Sequence, residues 1–322
     1  MTFVQGQRSI ATVAALLLAC SSAMAAVQAD RPAAEQLLML GRVDEMTQAL
    51  RPSPQDGPGH LLLCRAYYAE GLANRAVEEC EAALHTLSSN SEAQDWMGRA
   101  YGMKAGQSGP LSGFSLAKRV KTAFEAAVQL DPANGAAAND LSEYYISAPS
   151  IVGGGLDKAD ALASRVEGRL PQQAHRMRAL AAEKRKEYET AEGEFRLAVG
   201  VAGRPDAWAD LGAFYFRRGQ ADKAVDALKR CVAVDTAKDA SIVDAASILK
   251  DHHREPELSV RWMRLYLDEG SQSDAAPVFK VRTELALLLA KQGDRMGAKI
   301  ELDKALELAS NYGPAKRGLQ GQ

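Results

Sequence analysis

Few residues in this chain have types and spacings suited to chemistry. His252 and His253 are adjacent, and neighbouring residues on a helix point about 100° apart, so they share one ion poorly. They read as part of a solvated turn, Asp251-His252-His253-Arg254-Glu255-Pro256. Gly153-Gly154-Gly155 precedes Leu156-Asp157-Lys158, and amides at a helix start could cradle an anion. The run lacks the spacing of a phosphate-binding Walker loop and reads as a flexible turn. Cys64, Cys80 and Cys231 follow Ala26, none with His or Cys at metal-ligand spacing. There is no nucleophile elbow, metalloprotease helix or dinucleotide fingerprint. We therefore expect no metal, no cofactor and no enzyme, the alternative being an active site assembled from scattered residues.

The 322 residues are 47% hydrophobic but only 6% aromatic, with alanine carrying much of the apolar share. Small residues at this frequency suit closely packed helices. The formal charge of −2 points neither to nucleic acid nor to a solvating acidic tail. Residues 1–25 read as a cleaved signal peptide: Arg8, an apolar run from Ile10 to Ala19 too short to span a bilayer, then Ala23-Met24-Ala25 as a cleavage site before Ala26. Losing Arg8 takes the formal charge to −3. The rival reading is a lipoprotein signal, because Leu17-Leu18-Ala19-Cys20 resembles a lipobox and would make Cys20 a lipid anchor. Nothing after Ala26 is long and apolar enough to cross a membrane. The expected location is the periplasm or another exported site, or, if Cys20 is lipidated, the outer membrane.

From Pro205 to Thr236, Trp208, Leu211, Gly212, Tyr215, Gly219 and Ala224 recur at the spacings of a helix-turn-helix unit about 34 residues long. This pattern resembles the tetratricopeptide repeat (TPR). The resemblance implies an all-α, right-handed superhelical solenoid of about seven to eight TPR-like repeats. Residues 57–310 hold the repeats, with caps at 26–56 and 311–322. Leu63, Tyr67, Gly71, Ala76 and Ala83 mark the unit Gly57 to Asn90. Met97, Gly98 and Tyr101 mark the next, and Leu141 and Tyr145 the one after. Excess residues at 105–114 and 150–155 fall on equivalent turns and should project from one edge, the Gly and Pro of the first keeping it out of a helix.

In such a solenoid the first helices line a concave groove. By register, the resemblance places Arg65, Tyr68, Asp95, Arg99, Met103, Asn139, Glu143, Arg176, Glu183, Phe216, Arg217 and Asp244 there as binding candidates. Both charges mix with Tyr, Met and Phe, which suits an extended peptide or a partner helix. The same register sets Cys64 and Cys80 across one hairpin, either as a disulfide or as two reduced, buried thiols; Cys231 reads as core. The implied function is an exported scaffold for a peptide or protein partner, serving envelope assembly or maintenance. The alternative is a structural subunit or lipoprotein of an outer-membrane complex.

Overall fold

The computed structural model describes residues 31–50 and 56–321; the expected signal peptide, its cleavage site and Cys20 lie outside them. All regular structure among these residues is helical: α1 (31–39), α2 (Val43–Ala49), α3 (Gly57–Glu70), α4 (Ala73–Leu87), α5 (Ser91–Gly106), α6 (Pro110–Leu130), α7 (Gly135–Ser147), a 3₁₀ turn (Ser150–Val152), α8 (Leu156–Val166), α9 (Pro171–Arg185), α10 (Tyr188–Ala202), α11 (Pro205–Arg217), α12 (Ala221–Val234), α13 (Ala240–Asp251), α14 (Pro256–Glu269), α15 (Val278–Lys291), α16 (Arg295–Leu308) and α17 (Gly313–Gln320). Consecutive helices pair as antiparallel hairpins that stack into a right-handed solenoid.

Local sequence sets the hairpin ends. Asn90 and Asn134 cap α5 and α7, their side chains accepting from Ala93 N and Ala137 N. Gly71 ends α3 at φ 80°, a conformation that suits a residue without a Cβ. Where helices cross, the slim residue is obligatory: a Cβ on Gly212 would sit 2.7 Å from Leu228 Cδ2, and one on Gly98 2.4 Å from Phe124 Cε1. Alanine does the same work elsewhere, so Ala76, Ala83, Ala224, Ala246 and Ala305 are buried at the hairpin seams.

The first insertion departs from expectation. Ala105 and Gly106 finish α5, and Pro110 to Phe114 form the start of a 21-residue α6 rather than an irregular loop. Proline favours this place because N1 has no helical acceptor for an N–H and its fixed φ is already helical.

The two ends of the solenoid meet. α2 packs on α16, and Ser310 N donates to Asp44 Oδ2 at 2.8 Å. Gly41, at φ 69°, runs so close to α15 that a Cβ there would lie 3.0 Å from Val278 N. One buried cluster joins Leu38, Met46, Leu62 and Ala66 to Phe279, Leu289, Leu302 and Ala315. The terminal segments thus cover each other's apolar faces, which separate caps were expected to cover alone.

Candidate functional site: the inner cavity

Contact between the ends brings residues from both halves of the chain onto one concave, solvent-open wall. Residues of α3, α5, α6, α7, α13, the α14–α15 linker and α15 line one cavity of about 890 Å³. Six of the twelve candidates reach it: Arg65, Tyr68, Arg99, Met103, Glu143 and Asp244. Trp96, Asp140, Asp274 and Lys280 line it as well. Asp274 lies in a linker and arrives only because the ends close, so no single-repeat register could have found it. Trp96 sits next to the register-marking Met97 and Gly98, and its indole was the available signal.

Most inner charges are already engaged with one another. Arg99 Nε donates to Asp140 Oδ2 at 2.5 Å, its Nη2 lies 3.2 Å from Asp95, and its guanidinium stands 4.6 Å from the Trp96 ring centre. Arg65 donates to Asp274 at 2.8 Å and to Glu92 at 3.2 Å, 5.7 Å from the same indole. Tyr68 meets Trp96 edge-on at 5.4 Å. Arg176 bridges Glu143 at 2.7 Å and Asp210 at 2.8 Å, and Arg217 pairs with Glu183 at 2.8 Å. Several of these bonds span 33 or 34 residues, one repeat length, so they lace successive first helices together.

Several candidates are therefore not free binding surface. Asp95 is buried behind Arg99, and Arg65 is buried in its ion pairs. Phe216 is buried with His252 stacked on it at 4.3 Å and 6°. Asn139 does not line the cavity, and its Oδ1 is buried without a hydrogen-bond partner among the described residues. The physical reason is shared: a charge or a ring on a concave wall meets the next repeat before it meets a ligand.

Two charges in the cavity differ. Asp244 and Lys280 make no ion pair among the described residues. Asp244 is reached by water yet walled by protein, and that desolvation, with Asp210, Asp239, Asp206 and Glu284 nearby, lifts its carboxyl to about 6. Desolvation lowers Lys280, and Glu284 opposes the effect. Burial also raises Asp95 and Asp140, with Arg99 opposing it in both.

The other sequence candidates resolve simply. Cys64 and Cys80 are joined in a disulfide with Cα atoms 5.2 Å apart; Cys231 is free and buried, its thiol pushed up mainly by burial. The amides of Gly153, Gly154 and Gly155 donate to Ser150 O, Pro149 O and Tyr145 O, so none is offered to an anion. No cluster of His, Cys, Asp and Glu suited to a metal occurs among the described residues. No helix among them is long and apolar enough to cross a membrane.

Residues 205–238, which cover α11 and α12, match the tetratricopeptide repeat family. No curated protein matches the chain in sequence. Similar solved structures include a thermophilic TPR protein of Thermus thermophilus, 17% identical, covering 75% of this chain and 99% of its own at a TM-score of 0.42. Another is MamA of Desulfovibrio magneticus, 14% identical, with coverages of 56% and 94% and a TM-score of 0.36. A third is PilF of Pseudomonas aeruginosa, 13% identical, with coverages of 71% and 99% and a TM-score of 0.36.

Proposed function

We propose that this tetratricopeptide-repeat protein, a scaffold of the kind suited to protein–protein interaction, is an exported, non-enzymatic holder of a peptide segment or protein partner in its inner cavity. The observation that carries the reading is the contrast just described. The arginines on the inner wall are all held in ion pairs, whereas Asp244 and Lys280 face the same cavity without an ion-pair partner among the described residues. A partner segment bearing a cation for Asp244 and a carboxylate for Lys280, with an apolar side chain against Tyr68 and Trp96, would satisfy both and gain apolar burial. The carboxylates around Asp244 add to the pull on the cation.

Export and a role in envelope assembly or maintenance belong to the same proposal. Arg8, the apolar run and Ala23-Met24-Ala25 motivate export, and the Cys64–Cys80 bond accords with an oxidising compartment. A structural subunit or a lipoprotein anchored through Cys20 is the competing form. A photo-crosslinking residue placed at Tyr68 inside the cavity, and separately at exposed Leu197 outside it, tests the assignment in an envelope fraction. A discrete adduct from position 68 that disappears with Asp244→Asn supports the cavity. Adducts from position 197 alone, or none from 68, overturn it. Intact mass from the same fraction separates a chain starting at Ala26 from one diacylated at Cys20.

A further inference from the structure

The edge that carries both insertions sets exposed apolar side chains among lysines. At the start of α6, Leu111 is 91% exposed and Phe114 39% exposed. Three residues apart, they share a helix face with Lys118, whose Nζ lies 4.6 Å from the Phe114 ring centre. The 3₁₀ turn of the second insertion presents Ile151, 73% exposed. Tyr144 binds the two features together, its Oη 2.9 Å from Ala117 O and 2.8 Å from Val152 O. Lys121 runs along this turn, since a Cβ on Gly153 would lie 2.7 Å from Lys121 Cδ, and Lys158 Nζ donates to Gly153 O.

The charge at this edge is one-sided. Residues 96–124 contain no Asp or Glu but include Lys104, Lys118, Arg119 and Lys121, and residues 144–156 contain no acid either. The acids that reach the edge from its surroundings are Glu81, 3.7 Å from Arg119, Glu125, 3.9 Å from Lys121, and exposed Asp157 beside Lys158. Lys104 and Lys118 make no ion pair among the described residues.

We propose that this edge docks on an anionic lipid surface, inserting Leu111, Phe114 and Ile151 while Lys104, Lys118, Lys121 and Lys158 meet the headgroups. The pairing of apolar tips with unopposed lysines argues for lipid over a protein partner. Lys118 shares the helix face of Leu111 and Phe114, with its Nζ 4.6 Å from the Phe114 ring centre, so apolar side chains and charge reach the interface together. Lysine stems can then snorkel back to the phosphates. The tips project rather than line a cleft, so an acyl phase that conforms to them suits them better than a rigid surface.

The test uses the full chain with Cys20→Ser, carrying an environment-sensitive fluorophore on Ile151→Cys or, as control, on exposed Met296→Cys of α16. Vesicles of phosphatidylcholine are compared with vesicles containing added phosphatidylglycerol. The label at 151 should shift to the blue only with the anionic vesicles and lose the shift in high salt, while the label at 296 stays unchanged. Leu111→Ser with Phe114→Ser should weaken partitioning about tenfold or more, with the helical circular dichroism retained. An unshifted label at 151 on chains that float with vesicles would overturn the proposal, because the N-terminal apolar run would then be the anchor. Equal shifts on neutral vesicles, or a blue-shifted label on a dimer without any vesicle, would overturn it too, the latter making the edge a protein interface.

Discussion

Arg65 on α3 donates to Asp274 in the α14–α15 linker at 2.8 Å, joining residues 209 apart in sequence. Arg65 is buried and keeps Glu92 as a second partner, so removing Asp274 strands a charge only in part. Asp274→Ala should cost about 2 kcal/mol in urea unfolding. The loss should be local at first, with hydrogen exchange rising in α1 to α3 and in α15 to α17 before it rises in α7 to α10. Uniform exchange throughout would mean that the ends do not depend on each other.

Glu70 makes the same seam sensitive to pH. Burial raises its carboxyl to about 7, Asp44 adds to the rise, and its Oε1 is buried without a hydrogen-bond partner among the described residues. Between its ordinary value of 4.5 and about 7 the folded chain holds a proton that the unfolded chain has lost, so stability falls as pH rises through that window. Glu70→Gln should therefore gain about 1–3 kcal/mol relative to the parent at pH 8 and almost nothing near pH 4. Chemical denaturation of both proteins across that range checks the sign.

Helix crossings give a sharper test of packing. A Cβ at Gly212 would meet Leu228 Cγ at 2.8 Å as well as Cδ2 at 2.7 Å, and Ala224 O lies 3.3 Å away. Gly212→Leu should cost about 1–3 kcal/mol by overpacking, with protection lost first between Ala207 and Val232. Leu228→Ala in the same chain should recover part of that loss, since it removes the clashing atoms.

The Cys64–Cys80 bond closes a loop across the α3–α4 hairpin, with a sequence separation of 16. A loop of this size gives about 3 kcal/mol by restricting the unfolded chain. Cys64→Ala with Cys80→Ala should lower stability by that order without changing helix content, because both thiols face a buried apolar cluster. Unreduced peptide mapping should yield one crosslinked pair and leave Cys231 alkylated only after unfolding.

The sequence made the hairpins legible because local signals mark them: Gly71 and Gly219 at turns, and slim residues such as Gly212 at crossings. The inner cavity was only half legible. Arg65, Arg99 and Asp244 line the cavity, but what a wall residue does depends on the repeat beside it. Arg99 faces Asp140 of the next repeat at a separation of 41 residues, lengthened by the first insertion, and Asp274 and Lys280 come from the far end of the chain. Periodicity within one repeat contains no information on either arrangement. Pro110 shows the opposite limit, a residue read as a helix breaker that starts a helix.

These contacts also determine which substitutions can report on binding. Arg99→Ala would leave Asp140 and buried Asp95 facing each other without their shared cation, so it should lower the melting temperature as well as any affinity, and cannot serve as a clean probe. Asp244→Asn and Lys280→Gln break no ion pair among the described residues. Each should weaken a cavity-bound partner by about 1–2 kcal/mol without lowering the melting temperature, and above about pH 6 Asp244→Asn should raise it slightly by removing a charge whose ionisation the fold opposes. Asp244→Asn should in addition abolish the gain in affinity expected as pH rises through about 6, where its carboxyl ionises and attracts the partner's cation. The matched control alters the other candidate surface, with Leu111→Ser and Ile151→Ser at the insertion edge. Should the two cavity variants bind normally while the folded edge variant loses its partner, recognition belongs to the edge and the cavity assignment fails.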